Sequence, residues 1–153
     1  MAEGMLRAWA GDRYEVHSAG VEATEVRPLA IRAMAEAGID IAGHRSKAVS
    51  RYRGEHFDYA VTVCEDSTEA CAYFPADRQI HWSFVDPSVA KGTEEERLVV
   101  FRRVRDEIAV RIRAEFVPRP GVPARGPNAE STGYQRGEGH VAPPSSERKN
   151  SVD

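Results

Sequence analysis

Two periods of apolar residues run through the first three-quarters of the chain. Over residues 2–10, "AEGMLRAWA", Met5, Leu6 and Trp9 recur at helical spacing, and Gly11 follows as a C-terminal cap would. In "YEVHSAG", residues 14–20, Tyr14 and Val16 alternate with polar neighbours, which predicts a short strand ending near Ser18. The stretch "TEVRPLAIRAMAEAGI" predicts a helix: Pro28 suits a first turn, Ala30, Ala33, Met34 and Ala37 share a face, and Gly38 stops it. "FDYAVTV" is a β-branched apolar run, expected as a buried strand ending at Cys64. "QIHWSF" alternates Ile80, Trp82 and Phe84 as a further strand. In "EEERLVVFRRVRDEIAVRIRAEF", Leu98, Phe101, Val104, Ile108 and Ile112 form one stripe, with Arg102, Arg103, Asp106 and Glu107 opposite. Glu94 to Glu96 suit the start of that helix, and Glu107 with Arg111 makes an i,i+4 pair. The order is helix, strand, helix, strand, a short helical or looped segment, strand, helix. Such alternation predicts an α/β fold with a parallel sheet covered on both faces.

Composition then sets the boundary of the folded part. The chain has 153 residues, enough for one domain. From residue 118 onward it is rich in Pro, Gly, Ser and charge and has no apolar period. Such a segment buries too little apolar surface to offset ordering entropy. Residues 1–117 are therefore expected to form the domain, and 118–153 a disordered Pro/Gly/Ser-rich tail. A net charge of −3, with no basic stripe interleaved with aromatics, argues against a nucleic-acid partner. No run has the length of a membrane span, and the opening residues lack the regions of a signal peptide. A cytoplasmic location is expected, where cysteines serve redox or catalytic chemistry more often than structural disulfides.

Candidate chemistry gathers at strand ends. Ligands of open α/β sheets bind outside the carboxyl ends of the strands, and three predicted strands end in or near Ser18, Cys64 and Asp86. Each has a bland counterpart: a turn serine, a small buried thiol, an Asx turn. Asp86 precedes Pro87, which favours extended backbone and fixes the aim of the carboxyl, as a general acid requires. The only cysteines, Cys64 and Cys71, are seven positions apart. On a continuous helix they would share a face about 10 Å apart along the axis, whereas a disulfide needs Cα atoms within about 7 Å. A bond between them would require the polar segment "EDSTEA" to loop or unwind, which suits a switchable pair better than a staple. Zinc coordination with His81 as third ligand matches no common spacing, and from the residues alone two unrelated free thiols are the simplest account.

Taken together, six stretches resemble the thioredoxin-coupled arsenate reductases of the low-molecular-weight protein tyrosine phosphatase superfamily. They are "MAEG" at 1–4, "YEVHSAG" at 14–20, "AGIDI" at 37–41, "FDYAVTVC" at 57–64 with Cys71 beyond, "HWSFVDP" at 81–87 and "FRRVRDEI" at 101–108. The resemblance implies a three-layer α/β sandwich around a small parallel sheet and a thiol relay that reduces arsenate to arsenite. A nucleophilic cysteine in a Cys-x5-Arg-Ser loop attacks arsenate, and the loop's N–H groups and arginine hold the oxyanion. A second cysteine, matching Cys64, attacks the first and releases arsenite. A third, matching Cys71, leaves a Cys64–Cys71 disulfide for thioredoxin to reduce. Asp86 matches the general acid of phosphatase relatives. Positions resembling Glu3 and Ser18 hold a monovalent cation in some relatives, and no other cofactor is implied.

The nucleophile loop and the interior strand that precede "MAEG" in the family have no counterpart in these 153 residues, which contain two cysteines and no Cys-x5-Arg. Two explanations are a coding start placed late and a degenerate copy. Loss of several buried apolar side chains at about 1.5–3 kcal/mol each would outweigh a domain stability of about 5–15 kcal/mol. The expectation is a chain that folds poorly, re-forms a gapped sheet or takes the strand from elsewhere, and that is inactive alone. The alternatives are a phosphatase-type hydrolase, against which Cys71 argues, and a non-catalytic thiol redox module.

Overall fold

The computed structural model describes residues 1–63 and 74–117. The chain divides into two units, Met1–Pro123 and Ala124–Asp153, and the second lies outside the described residues. Three helices, α1 (Ala2–Ala10), α2 (Pro28–Glu36) and α3 (Glu94–Glu115), accompany two strands, β1 (Tyr59–Val63) and β2 (Arg78–Trp82). Single 3-10 turns stand at Val49–Tyr52 and Pro87–Val89.

Local chemistry accounts for the helix ends. Pro28 occupies the first turn of α2, and Gly38, at φ +75°, ends it in the left-handed region. Thr93 opens α3 through a capping box: its hydroxyl accepts from the Glu96 N–H, and the Glu96 carboxylate accepts from the Thr93 N–H at 2.7 Å. The Thr93-x-x-Glu96 signature is visible in the sequence, although the acidic run alone marks the start there. Along α3 the five stripe residues are all buried. Glu107 is met by Arg103 at 3.4 Å, one turn back, rather than by Arg111 as its spacing suggests.

The core joins that stripe to Met5 of α1, to Leu29, Ala30, Ala33 and Met34 of α2, and to Ile41, Trp82 and Phe116. Gly4 is required by close approach: a Cβ there would lie 2.6 Å from Cγ2 of Ile41, itself wholly buried. Trp82 buries its ring and donates its indole N–H to Glu115 Oε1 at 2.9 Å.

Strands β1 and β2 are parallel, with Val61 opposite Ile80 and Val63 opposite Trp82. Tyr59, Val61, Ile80 and Trp82 face the core, while Thr62 and His81 meet on the other face at 2.8 Å. Two expectations are corrected. β1 is not a buried strand: its first four residues are half-buried and Val63 is 51% exposed. Among the described residues it is paired along one edge only, and the core reaches Tyr59 and Val61 on its inner face but not Val63 at its end. Residues 14–18 do not form a strand either, because among the described residues no neighbour ladders with them. A lone parallel bridge, Gly20 to Ala48, stands just beyond. What holds this extended stretch is side-chain packing: Tyr14 meets Tyr59 and Phe116 edge-on, and His17 meets Tyr52 and Phe57.

Candidate functional site

Because β1 and β2 run parallel, the chain leaves both by the same edge of the sheet. Cys64 is next in sequence after Val63, and Asp86 follows Trp82 by four residues. Cys64 and Cys71 themselves lie outside the described residues, which begin again at Phe74. On one side stands Val63, in register with Trp82. On the other, the Phe74 ring packs edge-on against Phe57 at 5.4 Å, and its carbonyl accepts from the Gln79 amide at 3.2 Å. Both ends of the cysteine segment are thus fastened to the same aromatic and sheet framework.

Asp86 caps the 3-10 turn at Pro87–Val89. Its Oδ1 accepts from the Ser88 N–H at 2.8 Å and its Oδ2 from the Ser88 hydroxyl at 2.9 Å. This is the Asx-turn arrangement, and it also gives the exposed carboxyl a fixed aim. The Asx-turn reading of Asp86 is the one this geometry matches.

Glu3 and Ser18 come together. Glu3 sits in the first turn of α1, where the helix dipole favours an anion, and it is the one buried charged residue of the described part, 8% exposed. The Ser18 hydroxyl donates to its Oε2, and Lys47 Nζ lies 3.3 Å from the same oxygen. Arg7 donates to Oε1 at 2.6 Å and, from the same nitrogen, to the Val16 carbonyl at 2.7 Å. His44 Nδ1 is 3.9 Å from Oε2. One carboxylate thereby ties α1 to the extended stretch and to the segment before Ala48. Burial, the largest single influence, pushes the Glu3 pKa up. The Ser18 hydrogen bond and the Lys47 and Arg7 charges together outweigh it and hold the carboxyl below its ordinary 4.5. The Met1 ammonium is pushed down by burial, with Glu3 acting the other way.

Arg7 was within reach of sequence reasoning as the i+4 neighbour of Glu3. Lys47, 44 positions away, carried no such signal. A second ion-pair group joins α2 to α3: Arg102 grips Glu36 with two hydrogen bonds of 2.7 and 2.8 Å and reaches Glu95 at 2.8 Å. Those bonds hold the Glu36 carboxyl below its usual range and raise the Arg102 guanidinium above its own. Among the described residues, no group of three or more His, Cys, Asp or Glu is placed to hold a metal ion. No helix there is long and apolar enough to cross a membrane.

Residues 1–117 match the family described as low molecular weight phosphotyrosine protein phosphatase. The chain belongs to this family. Among curated relatives it is 44% identical over 114 residues to an arsenate reductase of Halalkalibacterium halodurans, an alignment covering 74% of this chain and 82% of that one. It is 42% identical over the same length and shares to the arsenate reductase of Bacillus subtilis. Among solved structures it resembles an arsenate reductase of Archaeoglobus fulgidus, with TM-score 0.60 and 31% identity over 74% of this chain and 85% of that one. An arsenate reductase in the phosphate binding state gives TM-score 0.61 and 27% identity over 74% and 82%. The α/β fold expected from the alternation of elements is the fold of these proteins.

Proposed function

We propose that this chain is an arsenate reductase in which Cys64 and Cys71 are the closing thiols of the relay. One observation carries the reading: identity above 40% to proteins named arsenate reductase, with both cysteines inside the family match. Arsenate bound through arsenic to the sulfur of a nucleophilic cysteine is the relay's first intermediate. The Cys64 thiolate attacks that sulfur; the S–As bond breaks, its electron pair leaves with arsenic, and arsenite departs. Cys71 then attacks Cys64 and returns the first thiol. The balance is two thiols oxidised to one disulfide, As(V) reduced to As(III), and one oxygen lost as water. A dithiol protein of the thioredoxin type is the proposed reductant, and a reducing cytoplasm the proposed setting.

Asp86 is proposed as the general acid, its aim held by Ser88. Residues 1–117 are proposed as the domain that carries this chemistry, and 118–153 as an appendage to it. The nucleophile is not among the two cysteines of the 153 residues. These residues alone are therefore expected to form a Cys64–Cys71 disulfide on mild oxidation and to be re-reduced by thioredoxin. Arsenate is expected to be reduced only by a chain that carries a Cys-x5-Arg-Ser loop ahead of Met1. Peptide mass mapping and arsenate-dependent NADPH consumption, coupled through thioredoxin and its reductase, read the two outcomes. Arsenate turnover by the 153 residues alone would overturn the assignment of roles. So would turnover by the extended chain carrying Cys71→Ser.

A further inference from the structure

The resemblance to relatives of which some hold a monovalent cation points to one beside Glu3 and Ser18, and the donor set here does not fit one. Such an ion needs oxygen lone pairs directed at it and unspent negative charge nearby, as other hard cations do. Glu3 supplies the only carboxylate among the described residues that bonds to Ser18, Arg7 or Lys47. Both of its oxygens are engaged. Oε1 takes the Arg7 guanidinium, and Oε2 takes the Ser18 hydroxyl and the Lys47 ammonium. One negative charge already faces two permanent positive charges, with His44 as a third when protonated. A further cation would have no anion left to balance it.

We infer that the Lys47 ammonium takes the place of the monovalent cation, so that this protein carries its counterion as a side chain. Backbone hydrogen bonds on either side of the next residue, Ala48, hold Lys47 in position to do so. The Lys47 carbonyl accepts from the Gly20 N–H at 2.9 Å, and the Val49 N–H donates to the Gly20 carbonyl at 2.8 Å. Its side chain is 18% exposed, so the ammonium is withdrawn from bulk solvent and from salt screening. A lysine ammonium is a compact point charge with three donors, closer to a bare cation than the planar guanidinium of Arg7.

The consequence is insensitivity to potassium, and it can be read without any catalytic assay, so its failure is separable from that of the reductase reading. Thermal unfolding of the full 153-residue chain is followed in potassium chloride and in choline chloride at equal ionic strength. The unaltered chain is expected to show the same Tm in both. Lys47→Ala is expected to lower Tm in choline by about 4 °C or more, the shift typical of losing one substantial interaction in a domain of this size. Part of that loss should return in potassium as the ion enters the vacated place. Lys47→Arg should remain indifferent to potassium. Should Lys47→Ala no longer unfold cooperatively in choline, Lys47→Met keeps the packing of the stem and is compared in the same two salts. Potassium-specific stabilisation of the unaltered chain would overturn the inference. The absence of any potassium response in both neutral variants would overturn it as well.

Discussion

A buried carboxylate is stabilising only while its partners stay charged and aligned, and Glu3 is the residue on which that condition bears most directly. Its pKa is lowered in the folded chain, so its contribution is complete above the ordinary 4.5 and is lost as pH falls through the lowered folded value. Replacing it by glutamine leaves Lys47 and Arg7 without their anion. Glu3→Gln is therefore expected to cost about 1–3 kcal/mol near neutrality, the lower part of that range being favoured by the half-exposed Arg7. The gap between the two proteins should narrow as pH drops below 4.5. Urea denaturation across pH 3 to 7 reads this directly (these bounds being about one to two pH units either side of a carboxylate's ordinary range). A gap constant with pH would mean that the Glu3 charge contributes nothing. At this scale the sequence was partly legible: Glu3 and Ser18 were singled out through resemblance, and Asp86-Pro87-Ser88 through turn chemistry. Lys47 was not, because nothing local distinguishes a lysine that folds back onto a distant carboxylate from one in water.

Helix α3 was the most legible element, since its burial follows a single period of 3.6 over 22 residues. The buried stripe and the capping box contribute by different mechanisms and should separate on substitution. Ile108→Ala removes buried methylene groups and leaves a cavity, at about 2–5 kcal/mol. Thr93→Ala removes one cap, at about 1 kcal/mol. Chemical denaturation of both variants tests the ranking, and equal losses would contradict it. The strands were less legible. The apolar run 57–63 reads as fully buried by composition alone, yet a strand's burial depends on what lies against each face and edge. β1 has a partner on one edge and the core on one face, and remains half-exposed. Residues 14–18 alternate as a strand does, but alternation reports one buried face and says nothing of a hydrogen-bonded neighbour. Here Tyr14 and His17 supply the packing without a ladder.

Over the whole described part, stability is unevenly distributed. The three helices and Trp82 share one core, and β1 and β2 lean on it through alternate residues. The stretch before Gly20 is held by rings and by the Glu3 group rather than by backbone pairing. Amide hydrogen exchange should follow that division. The amides of α3 between Phe101 and Ile112 are expected to be the slowest, and those of Glu15 to Ser18, with no acceptor among the described residues, to exchange faster by orders of magnitude. Protection of Glu15 to Ser18 comparable to that of α3 would show that a strand pairs with them in solution. The anchoring of Val63 and Phe74 belongs to the same scale: Val63 is held in register with Trp82, and Phe74 against the Phe57 ring.

From the amino-acid order alone came the helices, the two true strands, the alternation that makes an α/β fold, and the family. These are written in periods of two and 3.6 and in short motifs, where each residue's environment is set by neighbours a few positions away. Only the tertiary structure decided how far the core covers β1, and that 14–18 runs extended with no backbone partner among the described residues. It also decided that a lysine 44 positions distant completes the Glu3 group. Contacts of that separation depend on how elements pack, and no local pattern of side chains records them.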